Sequence, residues 1–210
     1  EVIQIADLDV NLADKTGRQL FAKVPGVFVY DMDGSGNQIN IATRGLDPHR
    51  SWEYNVRLNG VMTNSDLYGY PASHFSAPME SVEKVELIRG TASLQYGATF
   101  GGMINYVTKT ADTTRKISYE GQLNYGSFDT RSMYHAIGGK IGKFSYYAYA
   151  HNRASDGYRD NGDSKSNGQF LSLAYAFSPN LTLKAEVAHS YYNYHIPGPL
   201  SDGLFYDNPR

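Results

Sequence analysis

The second half of the chain alternates apolar and polar residues with a period of two, and this pattern limits the possible fold more than any other feature of the sequence. Residues 117–125 alternate strictly, with Ile117 and Tyr119 on one side and Ser118 and Glu120 on the other. A period of two places successive side chains on opposite faces of a β-strand. Further strands are predicted at 133–141, 144–153, 170–177 and 181–187.

The connections between these strands differ in length. Gly142-Lys143 and Ser178-Pro179-Asn180 form tight turns, whereas 155–167 forms a long polar loop. Tight turns join consecutive strands as antiparallel neighbours, and tight turns at one end with long loops at the other are typical of outer-membrane β-barrels. A soluble β-sandwich is the alternative, but its strands are usually shorter and its polar face is rarely so rich in tyrosine.

Composition excludes several classes of protein. The chain has 19 basic and 21 acidic residues, a net charge of −2, which is too little charge of either sign to indicate a nucleic-acid partner. It has no cysteine, which excludes disulfides, thiolate metal sites and a cysteine nucleophile. No apolar run reaches the roughly 18 residues that a transmembrane helix needs.

No catalytic constellation is visible either. None of the six histidines has the spacing of a His-Glu-x-x-His metal site, and there is no Gly-x-Ser-x-Gly nucleophile elbow. Residues 31–37 place oxygens at alternate positions, as a calcium loop does, but the closing position falls on Ala42. A solvated Asp/Gly turn is therefore the better interpretation, and we expect neither an enzyme, a resident metal nor a cofactor.

The first half of the chain is punctuated by glycines. A strand at Val85–Ile88 leads into a helical turn at Thr91–Gln95, and a second strand follows at Met103–Thr108. The glycines that separate these elements supply backbone angles closed to other residues, and they are Gly97, Gly101 and Gly102. The other predicted elements are a helix at 15–22, strands at 27–30, 39–43 and 55–58, and an Asn59-Gly60 hairpin turn.

Four motifs of this half carry a family resemblance, in the family's own order. They are Val24-Pro25-Gly26-Val27, Ile41-Ala42-Thr43-Arg44-Gly45-Leu46, Asn55-Val56-Arg57-Leu58-Asn59-Gly60-Val61 and the stretch 81–109. Together they resemble the plug domain of TonB-dependent outer-membrane receptors, over about half of the chain.

The resemblance implies an α+β plug domain over 1–110, followed by about five strands of an antiparallel transmembrane β-barrel over 111–210. A barrel with a plugged lumen takes about 22 strands, and an open sheet in lipid would leave its edges unsatisfied. We therefore expect the chain to be a fragment whose remaining strands form a separate segment. We also expect the TonB box to lie upstream of Glu1, and the location to be the Gram-negative cell outer membrane.

Within the family, residues 44–53 and 68–71 resemble ferric-citrate-type receptors. This implies energised import of an iron chelate, ferric citrate or another siderophore. The implied partners are the chelate, the TonB–ExbB–ExbD energising complex, outer-membrane lipid and the remainder of the barrel. Thr99 stands where relatives often carry Gln, which leaves the chelate open. The alternatives are a haem receptor, with His74 or His195 as the axial ligand, and a non-transporting adhesin or structural barrel.

The candidate ligand contacts are rings, hydroxyls and one cation in the plug loops, because an anionic chelate needs charge, hydrogen bonds and exclusion of water. They are His49, Arg50, Trp52, Tyr68, Tyr70, His74, Phe75, Gln95, Tyr96 and Thr99. The alternative is that the loop rings only pack the loop and that Arg50 is a solvated charge.

Arg44 and Arg89 form a second group, because each stands at a strand end before a glycine. The resemblance implies that both are buried in the lumen, where they latch the plug to glutamates of the barrel wall.

Overall fold

The computed structural model describes residues 1–8, 20–21, 24–30, 40–64, 77–90, 95 and 101–209. It divides the chain into two compact units, Glu1–Thr108 and Lys109–Arg210. Three expectations lie wholly or largely outside the described residues, namely the helix at 15–22, the turn at 31–37 and the helical turn at 91–95.

The first unit is built on a five-stranded sheet in the order β1-β6-β7-β4-β5. Its strands are β1 (Val2–Gln4), β4 (Tyr54–Leu58), β5 (Val61–Met62), β6 (Val82–Arg89) and β7 (Gly102–Thr108). The pair β4 and β7 is parallel, and the other neighbours are antiparallel. A separate antiparallel pair joins β2 (Val27–Tyr30) to β3 (Asn40–Thr43). Short 3-10 turns lie at Ile5–Asp7, His49–Ser51 and Met79–Ser81.

One face of the five-stranded sheet packs into the core of the first unit. In β6 the apolar residues Val85 and Leu87 are buried, while Lys84 and Glu86, which alternate with them, are not. Neighbouring strands add Ile104 and Tyr106 to the same core. Complete burial raises the pKa of the Tyr106 hydroxyl well above its usual value.

The opposite face of this sheet carries a polar network. The Lys84 ammonium lies 2.8 Å from Glu86, and Asn105 donates to the same carboxylate at 2.9 Å. The Lys84 hydrogen bond, followed by that of Asn105, holds the pKa of Glu86 below its usual range. The side-chain oxygen Oδ1 of Asn105 accepts from the backbone amide of Gly60 at 2.8 Å. Asn59 and Gly60 have φ of 49° and 84°, so the predicted Asn-Gly hairpin turn is confirmed.

The second unit is a meander of five antiparallel strands in the order β12-β11-β10-β9-β8. The strands are β8 (Ser118–Gly126), β9 (Thr130–Ile141), β10 (Phe144–Ser155), β11 (Ser164–Ser178) and β12 (Leu181–Tyr194). A short helix, α1 (Asp202–Asp207), follows them. No helix in the described part of the chain is long and apolar enough to cross a membrane.

Two strand boundaries in the second unit differ most from the sequence prediction. The prediction of a loop over 155–167 is wrong, because β11 begins at Ser164 and pairs Ser164 with Ser155. The strand β12 continues past 187 to Tyr194, and this extension pairs with the early part of β11. The missed part of β11 is polar on each face and that of β12 has tyrosines on both faces, so no alternation of apolar and polar residues marks them as strand.

The register gives this sheet two different faces. One row of partners crosses all five strands through Tyr119, Ile137, Ala148, Leu171 and Val187, which we call the apolar face. Ile137, Leu171 and Val187 are 44%, 40% and 67% exposed. Exposed aliphatic side chains in a continuous row are what an outward, lipid-facing barrel surface presents.

The other face, which we call the tyrosine face, is packed with rings. Tyr134, Tyr147, Tyr149 and Phe170 are buried, and Tyr149 stacks on Phe170 with ring centroids 5.4 Å apart. The hydroxyls of Tyr134 and Tyr147 form a hydrogen bond of 2.7 Å. These phenols therefore meet their hydrogen-bonding needs within the face itself.

The segment that leads into β8 is fixed to this face. Lys109 contacts both carboxylate oxygens of Glu120, at 2.7 and 2.9 Å, and Ala111 packs against the ring cluster. Asp112 accepts from the hydroxyl and the amide of Thr114, and these bonds lower the pKa of its carboxyl group. The polar linker is thus an ordered part of the second unit.

Candidate ligand-binding site

Four segments of the first unit meet at one end of its sheet. The Gly101 amide donates to the Glu53 carbonyl at 2.8 Å, and the Gly101 carbonyl accepts from the Thr43 hydroxyl at 3.0 Å and from the Gly90 amide at 3.4 Å. We call this meeting point, defined by Thr43, Glu53, Gly90 and Gly101, the glycine corner. Two loops begin and end at this corner. One joins β3 to β4, and the other joins β6 to β7.

Close backbone approach at this corner requires glycine. A Cβ on Gly101 would lie 2.5 Å from the Glu53 carbonyl oxygen and 2.9 Å from the Tyr54 ring. Gly102 has φ of +142°, and a Cβ there would overlap the Ile88 carbonyl oxygen. That backbone angle is open to glycine alone. Gly101 and Gly102 together therefore fix how β7 enters the sheet.

Tyr54 lies beneath the corner and is fully buried. Burial raises the pKa of its hydroxyl, and the Thr43 hydroxyl and the charges of Arg89 and Arg44 offset part of that increase. Two guanidinium groups thus act on one buried phenol. Sequence reasoning missed Tyr54, because only the parallel pairing of Tyr54 with Gly102 brings it to the corner.

The predicted contacts His49 and Trp52 lie in an ordered turn just before β4. The His49 amide donates to the Asp47 carboxylate at 2.9 Å, and the Trp52 amide donates to the His49 carbonyl at 3.2 Å. The two rings meet edge to face at 5.2 Å and 88°. Trp52 is 40% exposed, whereas Ser51 is buried with φ of 54°. The backbone of Arg50 belongs to this turn, but its side chain lies outside the described atoms.

The remaining predicted contacts lie in two loops. Gln95 is exposed, and both ends of its loop are fixed at the glycine corner by the contact of Gly90 with Gly101. The other loop leaves after Asn64, whose side chain bonds the amide of Val56 at 2.7 Å and the carbonyl of Tyr54 at 3.0 Å. The predicted contacts that lie outside the described residues are Tyr68, Tyr70, His74, Phe75, Tyr96 and Thr99.

The two latch arginines are exposed at the surface of the first unit, and their burial in a barrel lumen stays a prediction. Arg89 donates to the Pro25 carbonyl at 2.7 Å and pairs with the Glu1 carboxylate. The Arg44 guanidinium lies against Gly90, where an added Cβ would be 3.2 Å from it. Each arginine stands where its strand ends and its side chain leaves the core, so both charges lie on the surface of the corner.

The corner can therefore present two cations, an edge-to-face pair of rings and the ends of the 91–100 loop. Among the described residues, no group of three His, Asp or Glu side chains is placed to hold a metal ion.

Comparison with known proteins gives a family match for the first unit. Residues 1–103 match the model of the TonB-dependent Receptor Plug Domain. The chain is also similar to solved structures, all under 25% identical, so these likenesses concern the fold.

Three of those structures are similar over most of this chain. The siderophore receptor PirA from Pseudomonas aeruginosa is 20% identical over 92% of this chain and 35% of its own, with a TM-score of 0.64. The pyoverdine outer membrane receptor FpvA of Pseudomonas aeruginosa PAO1, solved bound to pyoverdine, is 18% identical over 92% and 28%, with a TM-score of 0.70. The copper transporter OprC is 16% identical over 94% and 31%, with a TM-score of 0.73. The chain thus spans about a third of the length of each.

Proposed function

Because residues 1–103 make this chain a member of the TonB-dependent receptor family, we propose that it supplies the plug and the first barrel strands of a receptor that imports an iron chelate. Members of this family are transporters of the Gram-negative outer membrane and not enzymes. The fold class expected from the sequence, a plug followed by antiparallel barrel strands, is confirmed.

The observation that supports a chelate most directly is the glycine corner. The 91–100 loop is anchored there at both ends by the contact of Gly90 with Gly101, and the His49–Trp52 pair lies in the turn that leads into β4. An anionic iron chelate is recognised by charge-assisted hydrogen bonds and by rings that exclude water. The structural relatives include proteins named for a siderophore and for copper, and we favour the siderophore class, with ferric citrate as one member.

The proposed site consists of ten plug-loop residues. They are His49, Arg50, Trp52, Tyr68, Tyr70, His74, Phe75, Gln95, Tyr96 and Thr99. The proposed partners are the TonB–ExbB–ExbD complex, which would energise release, outer-membrane lipid and the remainder of the barrel.

Calorimetric titration of the full-length receptor with ferric citrate, haem and a hydroxamate siderophore tests this function. We expect one of the two iron chelates to bind with heat and haem to give no spectral change. A shifted haem absorption band would favour the haem alternative, in which His195 would use the nitrogen not bonded to Asp163. Binding without energy-dependent uptake would favour the adhesin alternative.

Replacing Arg50 tests the charge in the site. Arg50→Ala should weaken chelate binding about ten- to a hundredfold, because a charge-assisted hydrogen bond contributes about 1.5–3 kcal/mol. Arg50→Lys keeps the charge without the bidentate geometry, so its chelate affinity should lie between those of the unaltered receptor and of Arg50→Ala. Arg131→Ala, which removes an equal charge paired with Asp129 in the second unit, is the control. Unchanged affinity in Arg50→Ala would make Arg50 a solvated loop charge.

The latch is a separate proposal with a different readout. Arg44→Ala and Arg89→Ala should impair uptake while leaving chelate affinity nearly unchanged, because the arginines would pair with glutamates of barrel strands rather than with the ligand. Uptake of radioactive iron and equilibrium binding, measured on the same cells, separate the two effects. Normal uptake in the double variant would contradict the latch.

A further inference from the structure

Charge is distributed unevenly along the sheet of the second unit. At the end that carries the two tight turns lie four exposed cations, Arg115, Lys116, Lys140 and Lys143. Asp112 lies 3.6 Å from Arg115. The loops at the opposite end carry carboxylates that offset the cations there, namely Asp129, Asp156, Asp160 and Asp163.

We call these four cations the short-turn rim, and hydrogen bonds fix the segments that carry them at this end of the sheet. The Lys140 amide donates to the Arg115 carbonyl at 2.8 Å, and the Tyr146 hydroxyl donates to the Lys116 carbonyl at 3.0 Å. The Lys143 ammonium donates to the Phe177 carbonyl at 3.1 Å. The entry to β8, the end of β9 and the β9–β10 turn thus carry these cations at the same end of the sheet.

Aromatic rings accompany these cations on the apolar face. Phe144 stacks on Tyr146 at 6.2 Å, and Tyr175 meets Phe177 edge to face at 4.8 Å. Phe144 is the register partner of both Ile141 and Tyr175, so the rings form a belt next to the rim. Amphipathic rings at this level are typical of the boundary between hydrocarbon and headgroups.

We propose that the short-turn rim binds the phosphates of anionic phospholipid headgroups in the inner leaflet of the outer membrane. The proposal rests on the proposed function, in which the tight turns face the periplasm. Lysines can extend along the apolar belt while their ammonium groups reach the phosphates. An acidic protein would match the charge equally well, but it would not explain exposed rings and aliphatic side chains directly beside the cations.

The test compares two matched double variants of the full-length receptor. Native mass spectrometry of the detergent-purified protein measures the apparent affinity for added phosphatidylglycerol and, separately, phosphatidylethanolamine. Lys116→Gln with Lys143→Gln should lower phosphatidylglycerol affinity about 25-fold, at about fivefold per cation near an anionic surface. The double variant Arg131→Gln, Lys165→Gln removes two cations from the opposite end of the sheet. Its phosphatidylglycerol affinity should stay within about twofold of that of the unaltered receptor.

Two results would overturn the proposal. One is equal affinity of the unaltered receptor for the two lipids, and the other is an equal loss in both double variants. Retention of an acidic periplasmic protein by the rim, with no preference for phosphatidylglycerol, would likewise assign the rim to a protein.

Labelling of intact cells separates this proposal from the function on which it rests. With Asp160→Cys and Asn180→Cys, a membrane-impermeant reagent should label only position 160. Labelling only at 180 would reverse the orientation and overturn both proposals. The expected labelling without a lipid preference would overturn the lipid site alone.

Discussion

Gly102→Ala is expected to prevent the plug sheet from forming while the barrel still inserts. A Cβ at this position overlaps the Ile88 carbonyl oxygen, and φ of +142° is closed to alanine. Backbone strain and overpacking each cost about 1–3 kcal/mol, so their sum approaches the stability of a small domain. The variant should reach the outer membrane, lose chelate uptake and admit large antibiotics through an unplugged lumen.

Gly45→Ala is the matched control for this variant. Gly45 also has positive φ, +76°, but a Cβ there meets nothing within 4 Å. It should lose only about 1 kcal/mol from backbone strain and retain uptake. Antibiotic sensitivity and iron uptake, measured at equal receptor abundance, compare the two. Equal phenotypes would show that the contact with Ile88 does not decide the outcome.

Leu171→Arg is expected to destabilise the folded receptor by about 2–4 kcal/mol, because it places a cation on the lipid-facing side of a barrel strand. Leu171 lies in the middle of the apolar row, flanked by Ala148 and Val187. Reduced heat stability of the folded band on electrophoresis, and lower abundance in the outer membrane, are the measurements.

Ser172→Arg adds the same charge one residue further along β11, on the opposite face. Its register partner on β12 is Glu186, whose carboxylate pairs with Lys184 at 2.8 Å and would also attract an added cation. We expect Ser172→Arg to leave stability nearly unchanged. If Ser172→Arg proved the more damaging substitution, the assignment of the two faces would have to be exchanged.

Sequence periodicity predicted the second unit because apolar and polar residues alternate between the two faces of its strands, as burial alternates along β8 and β9. The method failed where that difference disappears. Ser164 and Tyr194 are strand partners, but the two faces of each of their segments are alike in polarity, so nothing in the pattern distinguishes these segments from loop. Hydrogen bonding to neighbouring strands, which depends on register and not on hydrophobicity, makes them strand.

The candidate site was predictable only in part. The polar stretch before β4 marked His49 and Trp52 as loop residues, and the structure shows them joined edge to face. The contribution of Tyr54 depends on the parallel β4–β7 pair, whose strands lie far apart in sequence. Arg44 and Arg89 were correctly placed at strand ends, but their exposure depends on where the core ends, which sequence alone does not reveal.

The order of strands in the second unit has a consequence for the rate of folding. Each strand from β8 to β12 pairs only with its neighbours in sequence, so these contacts close short loops and can form early. In the described sheet, β8 has a free edge along Ser118–Gly126, opposite the edge that pairs with β9. In a closed barrel that edge must find the last strand of the receptor, across the greatest separation along the polypeptide. The seam at β8 should therefore form last and limit the overall rate, and pulse-labelling hydrogen exchange should detect amide protection there after it appears in β10.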